Sequence, residues 1–114
     1  ASEDYNTWLR IAQLSEKFVY LPRRLGYYMV HNQSISQKDT SVSVRHAVFE
    51  FVSGLRASQK LKLEANLRYT KGRFNYLAGN CAEAREDLLF GMKHGRFILK
   101  IKTVVLLLLL MGKK

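Results

Sequence analysis

The period of apolar and polar positions changes once along this chain, and the change divides it. In residues 4–16, Trp8, Leu9, Ile11, Ala12 and Leu14 recur at near-helical spacing and predict a helix, with Ser2 or Asp4 able to cap it. Lys17–Pro22 is short, apolar and aromatic and stops at a proline, which predicts a strand. Arg24–His31 alternates Tyr27, Met29 and His31 against Tyr28 and Val30 and predicts a second strand. Residues 32–39 are polar and turn-rich and read as a loop.

From about residue 39 the period becomes helical throughout. Asp39 or Thr40 could open a helix reaching about Ala57, with Val44, Val48, Phe49, Phe51, Val52 and Leu55 inward. Residues 58–79 predict a second helix, closed by Gly79 and Asn80, which both tolerate a left-handed backbone. Residues 81–95 predict a third, ended by Gly95, and residues 96–114 a fourth. The expected class is mainly α: a short N-terminal α+β portion of one helix and two strands over 1–38, then a four-helix array of antiparallel hairpins over 39–114.

The last helix is apolar on all sides, so it should be buried against something. Residues 103–111 carry no charge, but a spanning helix needs about 20 apolar residues. Lys100 and Lys102 interrupt the stretch from Phe97, so it should not span. A core position in the array is the plain reading. A helix lying on a membrane surface and a contact with a partner subunit are the others.

Composition allows one domain with a core of its own: 114 residues, 47% hydrophobic, one Pro. The single Cys81 excludes an intramolecular disulfide and fits a reducing compartment. No signal peptide is visible. The net charge of +10 is uneven, with +1 over residues 1–40 and +9 over 41–114. Such a field attracts anionic lipid, nucleic acid or anionic substrates. Arg-Tyr-Thr-Lys-Gly-Arg-Phe-Asn-Tyr at 68–76 interleaves bases and aromatics, yet no nucleic-acid motif is present and no nucleic acid is expected. His31, His46, His94 and Cys81 lack ligand spacing, so no independent zinc site is expected.

The candidate chemistry lies at the start. Glu3 and Asp4 are adjacent and point about 100° apart on a helix, so they do not make a shared acid pair. One can face a cleft as a general base while the other makes a structural contact. Trp8 follows Asp4 at i+4 on the same helix face, where an aromatic could stack on a sugar. Two acids opening a helix also serve as simple dipole complements.

Glu3-Asp4, Tyr5, Trp8-Leu9-Arg10, Phe18-Val19-Tyr20-Leu21-Pro22, Leu25-Gly26-Tyr27-Tyr28, His31 and Ser34 occur in an order that resembles the end of the catalytic domain of family-2 glycosyltransferases. Those enzymes have the GT-A fold and transfer a sugar from a nucleotide-sugar with inversion. The match covers about the first 38 residues, and Met29 departs from it where the family often has Arg.

The resemblance implies that Asp4 is the catalytic base toward the acceptor hydroxyl and that Glu3 contacts the acceptor or positions Asp4. It implies that Trp8 lines the acceptor side and that His31 and its loop lie near the diphosphate. Arg10 is expected to pair with an acid of the catalytic domain. The family's Asp-x-Asp and nucleotide-binding strands precede the acid pair, and no Asp-x-Asp occurs here. The chain is therefore expected to be a C-terminal segment, inactive alone, with a divalent metal (Mn or Mg) belonging to the parent enzyme and none to this segment.

The implied partners are a nucleotide-sugar donor and a glycan or lipid-linked acceptor of surface polysaccharide or glycolipid synthesis. The expected location is cytoplasmic, with peripheral contact at the inner membrane face and self-association of the segment both open.

Gly72, Gly79, Ala84, Leu88 and Gly91 resemble one tetratricopeptide repeat at about 61–95, with Tyr69, Phe74, Tyr76, Leu77, Leu88, Leu89 and Met92 packed between its helices. Such helical extensions follow the catalytic domain in many relatives of that family. The rival to the enzyme reading is a stand-alone basic helical module for protein or membrane-surface interaction.

Overall fold

The computed structural model describes residues 3–15, 17–29 and 38–112. Five helices run in chain order: α1 (Glu3–Leu14), α2 (Ser41–Val52), α3 (Ala57–Ala78), α4 (Cys81–His94) and α5 (Phe97–Gly112). The centre is the hairpin of α3 and α4. Their connection is two residues long, Gly79 and Asn80, and its chemistry is local. Gly79 takes φ +85°, its N–H donates to the Tyr76 carbonyl at 3.3 Å, and the Asn80 N–H donates to that of Asn75 at 2.9 Å. A side chain at Gly79 would strain that left-handed turn. At the other end, the Gln59 side chain reaches back and accepts from the Arg56 N–H at 2.8 Å, satisfying an orphan donor of α3.

The core is small. Ala65, Ala84 and Leu88 are fully buried between α3 and α4, with Leu67 beside them. α5 covers the open side of α4 through Leu99 and Thr103. The Thr103 hydroxyl is fully buried and donates to the Leu99 carbonyl at 2.7 Å, so no buried polar atom is stranded there. α2 packs on α3 through Ala47 and Val48, and of the four other helices α1 packs on α2.

Four expectations are corrected. No strand exists among the described residues. The described parts of both predicted strands, 17–22 and 24–29, are irregular and solvent-exposed, and residues 30–31 lie outside the description. Alternation favours an extended backbone, but a strand exists only through a ladder of hydrogen bonds to a neighbouring strand, and the described residues form no such ladder. The helix predicted from residue 39 or 40 ends at Val52, because Ser53 and Gly54 turn the chain, and its Phe49 is 77% exposed rather than inward.

In the hairpin, Leu88 is buried as expected, but Leu77, Leu89 and Met92 are exposed. Glycine and alanine bring the two backbones close, so the larger side chains are displaced to the flanks. Finally, α5 is not enclosed. It buries one stripe and leaves its outer face open, because four short helices cannot surround a fifth.

Candidate functional site

α1 positions the candidate acid. Its residues Asn6 and Arg10 are one turn apart and share the face turned to α2. Asn6 Nδ2 donates to the Ala47 carbonyl at 2.7 Å, and its Oδ1 accepts from Arg10 Nε at 2.9 Å. Arg10 Nη2 in turn meets Glu50 Oε2 at 2.6 Å. Arg10 thus pairs with an acid of the helical part.

At about 100° per residue, Asp4 and Trp8 lie on the side of α1 opposite Asn6 and Arg10. Both are exposed, Trp8 by 62%. Glu3 falls on the α2 side of the helix by the same count. Its carboxyl is held below its usual range, first by a hydrogen bond with its own backbone N–H. The structure therefore brings Asp4 and Trp8 together and directs Glu3 elsewhere. His31 lies outside the described residues.

A second cluster was not anticipated from the sequence. A cleft of about 260 Å³ between α2, α3 and α4 is lined by charged side chains. Glu64 of α3 is its hub: Arg45 Nη2 of α2 donates to it at 2.9 Å, and Arg68 Nε lies 3.6 Å away. Arg68 also approaches Glu86 at 3.5 Å and Asp87 at 3.8 Å, and its guanidinium stacks 4.5 Å over the Phe90 ring. Lys71 lies 3.7 Å from Asp87.

The Arg45 hydrogen bond draws the Glu64 carboxyl below its usual range. Burial pushes the Asp87 carboxyl up, and the charges of Lys71 and Arg68 only partly offset it. The spacing of these pairs in sequence offered one signal, Glu64 and Arg68 at i and i+4. The links to Arg45, Glu86 and Asp87 depend on how the helices pack. The cluster's charges compensate one another, so it works as a clasp across three helices.

Among the described residues, no three His, Cys, Asp or Glu side chains converge to hold a metal. They do not supply a site for the divalent ion that the glycosyltransferase resemblance implies. Among the described residues, no helix is long and apolar enough to cross a membrane. No protein-family model, curated protein or solved structure matches the chain.

Proposed function

We propose that this chain is the C-terminal portion of an inverting, nucleotide-sugar-dependent glycosyltransferase in which Asp4 is the base. The observation that carries the reading is the placement of Asp4 and Trp8 on the one face of α1 turned away from α2. An acid and an indole one turn apart, on a helix anchored from behind, form a surface fitted to a sugar acceptor. Asp4 takes the proton of the acceptor hydroxyl as that oxygen forms its bond to the anomeric carbon. The bond from that carbon to the diphosphate breaks, and the nucleotide leaves with its electron pair. The indole of Trp8 stacks on the apolar face of the acceptor ring and fixes its approach.

A second feature supports the same reading. Phe18, Tyr20, Leu25, Tyr27 and Met29 stand exposed along an irregular segment after α1. A run of this size uncovered in water calls for another protein body against it. The donor-binding body, placed beside α1, covers it and completes the site. The donor is a nucleotide-sugar, and the acceptor a glycan or a lipid-linked sugar.

The test begins with the complete coding sequence, which is expected to hold an Asp-x-Asp upstream of Ser2. Its full-length product is then assayed for sugar transfer and for donor binding. Asp4→Asn is expected to lower kcat by about 10²–10⁴-fold with donor affinity retained, as for loss of a general base. A coding sequence without a nucleotide-binding region, or transfer that survives Asp4→Asn, overturns the proposal.

A further inference from the structure

The outer face of α5 is a surface of a different kind, and it stands independently of the reading of α1. Leu99 and Thr103 fix the inward direction of α5. At about 100° per residue, Ile101 and Leu108 point directly away from the core, flanked by Phe97, Val104, Val105 and Ile98. All six are exposed, Ile98 and Phe97 by 68% and 77%. Lys100 and Lys102 fall about 100° to either side of that outward axis. The face is thus an apolar strip with one lysine on each border and the protein body behind it.

Charge decides the occupant. Residues 88–114 contain Lys93, Arg96, Lys100, Lys102, Lys113 and Lys114 and no acidic residue. A second copy pressed against this strip would set lysines against lysines with no carboxylate on α5 to answer them. An anionic lipid surface gives both borders a counter-charge and takes the strip into its acyl boundary. Lysines at the edge of such a strip keep their stems on the apolar surface and their ammonium groups among the headgroups. The helix backbone satisfies its own hydrogen bonds, as contact with lipid requires. At 16 residues, α5 is about 24 Å long, short of the ~30 Å hydrocarbon core, so it lies in the surface plane and does not cross.

We infer that α5 docks this chain onto an anionic membrane surface, with Ile101 and Leu108 inserted and Lys100 and Lys102 at the headgroups.

The experiment is cosedimentation of the 114-residue chain with vesicles of phosphatidylcholine alone or with 30% phosphatidylglycerol, the share being about that of a moderately anionic membrane. Binding is expected to the mixed vesicles and to weaken as salt shortens the Debye length from about 10 Å at 0.1 M to about 3 Å at 1 M. Ile101→Glu with Leu108→Glu is expected to weaken it by on the order of 100-fold or more. Lys100→Gln and Lys102→Gln should each cost about fivefold. Both pairs are exposed, so unchanged far-ultraviolet circular dichroism is expected; should the glutamate pair unfold the chain, the lysine pair decides. Failure to bind the mixed vesicles, or binding indifferent to these substitutions, overturns the inference. So does self-association that Ile101→Glu abolishes in a chain that ignores lipid, which would make a second copy the occupant.

Discussion

The closeness of α3 and α4 can be tested by placing a methyl group at two glycines that look alike in sequence. Gly72 and Gly91 are both buried and helical, Gly72 well inside α3 and Gly91 in the last turn of α4. Alanine gains about 1 kcal/mol of helix propensity at Gly72 and roughly 0.5–1 kcal/mol at Gly91, which is nearer a helix end. Their surroundings differ. A Cβ at Gly72 would lie 3.1 Å from Asp87 Cβ, 3.1 Å from Leu88 Cγ and 3.3 Å from the Ala84 carbonyl oxygen. Two of those atoms are backbone or fixed directly to it, so the helices themselves must move. A Cβ at Gly91 would lie 3.4 Å from Thr103 Oγ1 and 3.7 Å from the Ala65 carbonyl oxygen, which is ordinary contact.

Overpacking costs about 1–3 kcal/mol, so Gly72→Ala should lose about 1 kcal/mol net. Gly91→Ala should gain roughly 0.5–1 kcal/mol, its propensity term being little opposed. Denaturant unfolding followed by circular dichroism should separate the two by about 2 kcal/mol, and thermal unfolding by roughly 8 °C. Equal stabilities, or a Gly72→Ala variant above Gly91→Ala, would refute the argument that α3 and α4 touch through Gly72.

Three further outcomes follow from the charged clasp and from the anchoring of α1. Asp87 has a raised folded pKa, so its contribution is fullest below the ordinary Asp value of about 3.9 and is lost as pH rises through the raised one. Asp87→Asn should therefore compare better with the unsubstituted chain at pH 7 than at pH 3, and shift stability at pH 7 by less than about 1 kcal/mol, as unfolding titrations at the two pH values would report. Glu64 has a lowered pKa, so its contribution is present above about 4.3 and lost as pH falls through the lowered value. Glu64→Gln should cost about 0.5–1 kcal/mol at pH 7 and less as the pH falls toward 3; an equal cost at both would refute the assignment. Asn6→Ala removes the part-buried hydrogen bond to Ala47 and should loosen α1 by about 1 kcal/mol, against about 0.5 for Arg10→Ala, whose ion pair is exposed. Hydrogen exchange of residues 3–14 measures both, and the reverse order would place the anchor at Arg10.

What could be seen in the sequence was what short-range chemistry decides. Gly79 and Asn80 end α3 because only a few residue types accept a left-handed turn, and that signal needs no partner. The shared face of Asp4 and Trp8 follows from a spacing of four. Which way that face points does not, because it is set by Asn6 meeting Ala47, 41 residues on. The clasp was hidden for the same reason, since Arg45 and Glu64 meet only after α2 docks on α3. The two strands failed because alternation in Tyr27–Met29 describes a backbone shape and says nothing of a neighbour. For α5, composition told how apolar the helix is but not how much of it four short helices could cover.

The two uncovered apolar surfaces have different physical requirements, and this separates the partners they can take. Residues 17–29 form neither a helix nor a ladder; within them the Arg23 N–H reaches the Leu21 carbonyl at 2.9 Å, but an irregular segment does not close its backbone hydrogen bonds on itself as a helix does. Hydrocarbon cannot supply what they lack, since each unpaired group there costs several kcal/mol. A protein surface can offer donors and acceptors along with apolar contact, so Phe18 and Tyr20 belong against protein. α5 has the opposite balance: its backbone is closed within the helix, and only its side chains ask for cover. Its outward residues are aliphatic or phenyl, with basic charge at the borders and no acid from residue 88 onward. One chain therefore carries a face that demands a polypeptide and a face that tolerates lipid. In the proposed enzyme, the first secures the donor-binding body beside Asp4, and the second holds the assembly at a surface where lipid-linked acceptors are concentrated.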